Sequence, residues 1–590
     1  MKQFLKFFFA SVLGTTVTLL LFFLLSLGII ASLATFSNKT EVEVKEKTIL
    51  RLTLDRDIQD RQPVNPFNSI NWQNFDNEEV YGLNELIKNL RKAKNDPKIS
   101  GILLEVSQGP SGMALAEELR KELSDFKTSG KFVVAYANSY SQGGYYLASV
   151  ADQVCMHPEG NLEFKGLMAD LVFFKRMLDK IDVEAQIIRH GKYKSAVEPF
   201  MLEKMSPENR EQTQQLVNTI WNNMIAQISK DRGISVERLN QLADSLSGYS
   251  AEKAHKAGLI DQLLYKDELE KVLREKMEVD SATELNYMAM SDYFHAPEPT
   301  PQKVDRSKKI AVIYALGDVV DGKGDESSIG TRNIPAALRK AREDKNVKAV
   351  VLRVNSGGGS ALTSDIIWRE VELTRKEKPV IASFGDVAGS GGYYIACNAT
   401  KIFADPTSIT GSIGVLGIIP NAQKLLNERL GITFDHAKSN ANAEFVGVNR
   451  PLTEYQKQVL LKSIEEVYST FVDHVAQGRN LSRSKVDSIG QGRVWSGVDA
   501  RAIGLIDEWG GLYDAIAEAA RMAAIDNYKI VEYPLQKDPF TQLMESLSGD
   551  NSEVMLRRQL GVHYTYLKTL QNLATSHGVQ ARMPFAIYFR

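Results

Sequence analysis

The sequence predicts an α/β protein made by tandem duplication of one domain and preceded by a single transmembrane helix. Three observations carry this reading. The N-terminus holds a long apolar run without charge. The chain matches itself at a shift of 248 residues. Within each copy, short β-branched apolar runs alternate with helical patterns. Bulk composition agrees. At roughly 150 residues per domain, a chain of 590 residues allows about four domains. Hydrophobic residues make up 43% and charged residues 24%, a globular composition that excludes disordered, collagen-like and coiled-coil classes. With 71 basic and 73 acidic residues the net charge is −2, so no charge excess calls for nucleic acid as a partner. The 2 cysteines cannot build a disulfide framework or a structural zinc site. No cofactor or metal is expected.

The first element is the apolar run. Lys2 and Lys6 precede a stretch from Phe7 to Asn38 that carries no charge and is densest in Leu and Phe from Thr18 to Ile30. About 20 apolar residues span a bilayer as a helix. A cleavable signal has an apolar core of only about 7–15 residues and a small-x-small site, and Ala31–Ala34 is a poor match for one. Residues 1–38 therefore read as an uncleaved anchor. The two lysines favour a cytoplasmic N-terminus, with the bulk of the chain exported.

The first copy is placed at 45–295 and the second at 309–535. Residues 90–106 and 338–354 share seven of 17 positions. The same shift lays Gly143-Gly144-Tyr145-Tyr146 on Gly391-Gly392-Tyr393-Tyr394, and Pro158 on Pro406. Further on, Gly258-Leu259-Ile260-Asp261 matches Gly504-Leu505-Ile506-Asp507 at a shift of 246. A period this long is one domain duplicated once, not a solenoid. Between the copies, 296–308 alternates proline with charge and reads as a linker. In the second copy, strands are predicted at Lys309–Tyr314, Ala349–Val354 and Pro379–Phe384, with helices at Asn333–Asp344 and Leu362–Lys376. Strands alternating with helices imply a parallel sheet, with the site in loops beyond the carboxyl ends of the strands. Residues 536–590 are a tail with helical patterns at Phe540–Leu547 and Val554–Leu560.

A duplication supplies its own control, because packing explains what the copies share better than what they do not. Ser390, in Ala388-Gly389-Ser390-Gly391-Gly392, opens a predicted helix straight after a strand, the setting of a nucleophile turn. Its counterpart is Gln142, which cannot be a nucleophile. Helix capping is the bland alternative for Ser390. The loop Asn355-Ser356-Gly357-Gly358-Gly359-Ser360 can bring backbone amides against an oxyanion. Its counterpart carries Pro110 opposite Gly358, with no N–H to offer. A tight turn is the alternative there. A serine nucleophile needs a base. His436 beside Asp435 is one candidate. Lys194, in Gly191-Lys192-Tyr193-Lys194-Ser195-Ala196-Val197-Glu198-Pro199-Phe200, is another, provided an apolar site lowers its pKa. Its counterpart is Asn442, so each copy holds one reactive residue that the other lacks. A surface lysine is the alternative reading.

At these residues the chain resembles the bacterial signal peptide peptidase A family in its long form, also called protease IV. The motifs at 191–200 and 388–394, the anchor and the duplication carry the resemblance over nearly the whole chain. It implies a ClpP/crotonase-like fold in each copy and a serine endopeptidase with a Ser/Lys dyad. Ser390 matches the family nucleophile, Lys194 the general base and Ser412 the serine that positions the lysine. Gly391 and Gly359, with Gly358 adjacent, match the oxyanion donors. One departure is Gly357, where many members have proline after Ser356. The resemblance further implies a homotetrameric bowl on the periplasmic side of the inner membrane. Its substrates would be cleaved signal peptides and unfolded hydrophobic segments. Rival expectations are a crotonase-type acyl-CoA enzyme and a non-catalytic membrane scaffold. Cys155 and Cys397 read as buried free thiols, and the paired tyrosines of both copies as core.

Overall fold

The computed structural model describes residues 2–37, 42–54, 58–62, 70–71, 76–77, 81–110, 112–299, 304–536, 564, 567, 579–583 and 588–589. The helical patterns expected at Phe540–Leu547 and Val554–Leu560 lie outside them. A 36-residue helix, Lys2–Ser37, opens the chain. Its segment Gln3–Leu24, with mean hydropathy 2.2, is long and apolar enough to cross a bilayer.

Each copy forms a parallel sheet in the same spatial order. In the first, the strands run Gln262–Leu263, Gln153–Met156, Phe132–Ala137, Ile99–Glu105, Thr48–Thr53 and Asn286–Ala289. In the second, Val380–Gly389, Val347–Ser356, Asp305–Leu316 and Tyr528–Tyr533 follow one another, with Lys401–Ala404 beside the first of them. The central strands are apolar and buried over their middles, as in parallel sheets covered by helices. The strand Asp305–Leu316 begins before residue 309, so the extended connection expected over 296–308 ends earlier. Its pairing with Val347–Ser356 and Tyr528–Tyr533 draws in the charged residues that precede the apolar run.

The duplication extends to individual bonds. Tyr145 donates to the Leu259 carbonyl, and Tyr393 to that of Leu505, each at 2.8 Å. Asp261 accepts from the Val154 amide and pairs with Arg232; Asp507 does the same with Ile402 and Arg479. Leu86, Leu90 and Ala93 on the helix Leu83–Asn95 fall on Ile334, Leu338 and Ala341 on the helix Asn333–Glu343, and all are buried. That i, i+4, i+7 spacing puts one apolar stripe on each sheet. Burying such a leucine stabilises by about 2 kcal/mol. Both cysteines are buried and free.

A third sheet belongs to neither copy alone. Its strand order is Glu184–His190, Val415–Asn421, Gln580–Arg582, Gly358–Ser360, Asp318–Val319 and Ser328–Ile329. The first comes from the N-terminal copy and pairs antiparallel with the second over seven residues, Glu184 to His190.

Behind that sheet, the copies are joined by buried charge. Arg353, fully buried, donates to Asp60 and Glu118 of the first copy, each at 2.6 Å. Asp386 accepts from the Ala114 and Leu115 amides at 2.9 and 3.2 Å. The helix Met113–Lys127 has Gly112 as its own cap residue, with no side chain to offer. The second copy supplies that cap from across the interface.

Candidate active site

The strand Val380–Gly389 leads into Ser390, and the helix Gly391–Ala396 starts directly after it. Ser390 sits at φ 54° and ψ −116°, a backbone conformation that side chains other than glycine rarely adopt. Its amide donates to the Gly411 carbonyl, and its own carbonyl accepts from Tyr394, each at 2.8 Å. Gly392 is packed so closely that a Cβ there would lie 2.5 Å from the Ser356 carbonyl oxygen. The strand thus turns sharply and presents the serine hydroxyl to the space between the copies.

The lysine comes from the other side of that space. The strand Glu184–His190 carries the chain along Val415–Asn421 and delivers residues 191–194 to the second copy. Gly191, at φ 99°, packs on Gln491, and the Tyr193 amide donates to the Gln491 carbonyl at 2.9 Å. Gly492 approaches the Lys194 backbone so closely that a Cβ would lie 2.6 Å from its Cα. Gln212 holds this loop from outside by donating to the Tyr193 carbonyl and the Ser195 hydroxyl.

The result is a direct contact. Lys194 Nζ lies 2.8 Å from Ser390 Oγ, 3.0 Å from Ser412 Oγ and 3.2 Å from the Ser412 carbonyl oxygen. All three residues are fully buried. Burial with no carboxylate beside it holds the lysine amine well below its usual range. A neutral amine has one lone pair and two hydrogens. Donating both to Ser412 leaves the lone pair aimed at the serine hydroxyl, the arrangement of a base poised on a nucleophile. Ser412 itself sits at φ 50°, held by its amide on the Arg493 carbonyl at 2.7 Å.

The glycines fare unequally. Gly391 begins the helix beside Ser390, and Gly359 is bracketed by Val319 and Ala581. The Gly358 amide donates to Ser356 Oγ at 3.1 Å. Its role is spatial: a Cβ there would lie 2.5 Å from the Gly391 nitrogen. Gly357 is loosely surrounded.

His436 has no part in this cluster. It lies in an irregular loop, exposed, with Nε2 3.8 Å from Glu444. Gln142, the counterpart of Ser390, pins a loop through the Lys165 and Gly166 amides. Sequence reasoning missed Gly492, Gln212, Asp386 and Arg353. Arginine inside an apolar strand was the available signal, since a buried guanidinium demands partners.

Two matched α/β copies with a serine and a lysine meeting between them define a class, that of duplicated hydrolases whose site is shared across the repeat. Comparison with known proteins shows peptidase relatives. Peptidase family S49 matches residues 125–280 and 372–526, one match in each copy. Protease 4 of Haemophilus influenzae is 37% identical over 445 residues, 73% of this chain and 72% of that protein. The chloroplastic serine protease SPPA of Arabidopsis thaliana is 34% identical over 545 residues, 92% of this chain and 78% of that protein. A solved ClpP1 mutant from Listeria monocytogenes covers 35% of this chain and 94% of that one, at 13% identity and TM-score 0.24. The chain belongs to peptidase family S49 and is a serine peptidase.

Proposed function

We propose that the chain is a membrane-anchored serine endopeptidase in which Lys194 is the general base for Ser390. The observation that carries this is the 2.8 Å contact between Lys194 Nζ and Ser390 Oγ with both side chains fully buried. Neutral Lys194 takes the proton from the Ser390 hydroxyl as Oγ attacks a peptide carbonyl. The Gly391 and Gly359 amides receive the oxyanion. The ammonium then protonates the leaving amine, and water, deprotonated by the same lysine, releases the acyl group. Ser412 orients the amine throughout.

A site that keeps a lysine dry also favours apolar or small side chains beside the cut. That suits remnant signal peptides and other unfolded hydrophobic segments met at the outer face of the inner membrane. The helix Lys2–Ser37 would hold the copies there on the periplasmic side. Assembly as a homotetramer belongs to the same reading.

The test is hydrolysis of an unfolded leucine-rich peptide by the detergent-solubilised protein. Ser390→Ala and Lys194→Ala should each lower kcat by about 10³-fold or more, with circular dichroism and assembly unchanged. Activity in both variants would remove the dyad, and a wild type silent on many peptides would favour a scaffold.

A further inference from the structure

The helix Pro207–Arg232 of the first copy lies against the lysine loop and presents Gln212 to both copies at once. The Gln212 amide nitrogen donates to the Tyr193 carbonyl at 3.2 Å and to the Ser195 hydroxyl at 2.9 Å, the residues on either side of Lys194. Its oxygen accepts from the Val494 amide of the second copy at 3.2 Å. A carbonyl on one side and an N–H on the other leave one orientation of the side-chain amide. Val494 belongs to the strand that holds the partners of the lysine. Gly411 pairs with Val494, and the Gly411 carbonyl takes the Ser390 amide. The Ser412 amide donates to the carbonyl of Arg493, the residue before Val494. One turn along the helix, Gln215 accepts from Arg493 Nη2 at 2.7 Å. Bonds from one helix thus reach the base, the serine beside it and the turn of the nucleophile.

Gln212 is itself oriented from behind. Asn209 accepts from it through Oδ1 at 3.2 Å and donates through Nδ2 to Glu198 Oε2 at 2.9 Å. Glu198 also accepts from the Ser206 amide at 3.1 Å and the Ser206 hydroxyl at 2.6 Å. Glu198 is fully buried, and Asn209 and Gln212 are each 2% exposed. Arg189 stands 3.9 Å from Glu198, beyond hydrogen-bond reach, so neutral donors hold the buried carboxylate. Apolar packing alone gives no reason to bury a charge there. What the charge supplies is direction: Gln212 donates to Asn209, Asn209 donates to Glu198, and such lines of bonds strengthen one another. Among the described residues, the charged groups about this loop are Arg189, Lys192, Glu198, Glu211 and Arg493, and none of them bonds the lysine amine.

We propose that Gln212, oriented by Asn209 and Glu198, is a positioning residue that sets Lys194 and Ser412 against Ser390 by bonding the two copies together at the site. The proposal rests on the peptidase reading above. With Gln212 in place, residues 193–195 keep their distance from residue 494, and the lysine amine stays on the serine hydroxyl and dry. Without it the loop is free to drift. A misplacement of about 1 Å costs on the order of 10²-fold in rate, and water reaching the amine returns its pKa toward the ordinary range.

The experiment measures kcat, KM and the pH profile of kcat/KM on the leucine-rich peptide for the full-length Gln212→Met, Glu198→Ala and Glu198→Gln variants. Methionine keeps the length of glutamine and makes none of its bonds. Gln212→Met should lower kcat by about 10–100-fold with KM nearly unchanged. It should also move the rise of kcat/KM about one unit to higher pH, so alkali recovers part of the lost rate. Glu198→Ala should move both quantities in the same directions. Glu198→Gln keeps an acceptor for Asn209 and should recover most of the wild-type rate. Wild-type kinetics in Gln212→Met, or a loss by the same factor at every pH, overturns the proposal. Equal impairment of the two Glu198 variants overturns it too, and this pair decides the matter if Gln212→Met fails to fold. A second arm needs no catalysis. In the Ser390→Ala chain, Gln212→Met should speed amide hydrogen exchange over residues 192–197 and 492–496 by about tenfold, with Val347–Ser356 unchanged. Unaltered exchange in those segments overturns the proposal. A wild type that hydrolyses nothing while exchange responds would fail the peptidase reading alone. Hydrolysis that Gln212→Met leaves untouched would fail this inference alone.

Discussion

Burial disfavours the charged form of Lys194, and that has a measurable cost. An unfolded lysine stays protonated to about pH 10.4, whereas burial holds the folded amine well below the usual range. Between those two values folding must expel a proton, so the penalty grows as pH falls toward the lowered value and vanishes above the unfolded one. Lys194→Met should therefore be inactive yet melt at a higher temperature than the wild type at pH 7. The gap should close as pH is raised toward 10. Equal melting temperatures at pH 7 would contradict this. The same titration governs rate: kcat/KM should rise with pH through the lowered lysine value, then level off. At Ser390 the backbone carries the strain. Positive φ with ψ −116° costs a side chain about 1–3 kcal/mol. Ser390→Gly and Ser390→Ala should both be inactive, with the glycine variant more stable by about 1 kcal/mol or more in urea unfolding. These two residues were legible in the sequence because the duplication exposes them as unmatched. The φ of Ser390 and the dryness of Lys194 were not, since both depend on the partner copy.

Among the elements, the helix Met113–Lys127 shows how one copy finishes the other. Its amides at Ala114 and Leu115 are satisfied by Asp386, four residues before Ser390. Burial first, then the charge of Asp60, push the Asp386 carboxyl up to about 7. A folded value above the unfolded one, about 3.9, means its contribution is fully present below about pH 4 and lost as pH rises through 7. Asp386→Asn keeps an oxygen for both amides and cannot ionise. Relative to the wild type it should be more stable at pH 8 than at pH 5, as read from urea midpoints; a difference that does not change with pH would refute the cause given. The alternation of strands and helices was legible because each element carries its own periodicity. The third sheet was not. Four of its strands have only two or three residues, and Glu184–His190 finds its partner more than 200 positions later. No local pattern encodes such a pairing.

At the scale of the whole molecule, the copies are fixed to each other by a buried ion cluster as well as by apolar contact. Arg353 serves Asp60 and Glu118 at once and also donates to Ser383 and the Phe384 carbonyl. Removing it strands two carboxylates in the interior. Arg353→Met should cost about 3–5 kcal/mol, and adding Asp60→Asn with Glu118→Gln should restore part of that. A loss under 1 kcal/mol would show the cluster to be hydrated. Because the strands on which Arg353 and Asp386 lie run on to the glycine loop and to Ser390, loosening the cluster should lower activity before the chain unfolds.

The sheet shared by the two copies also has a meaning in time. The ribosome makes Lys194 long before Ser390, which lies 196 positions later. On the proposed chemistry, a nascent chain that has folded only its first copy holds a base with nothing to activate. The later copy emerges with a nucleophile and no base. Reactivity begins only when synthesis is complete and the copies have docked. On that chemistry the cell is spared a half-made hydrolase during translation.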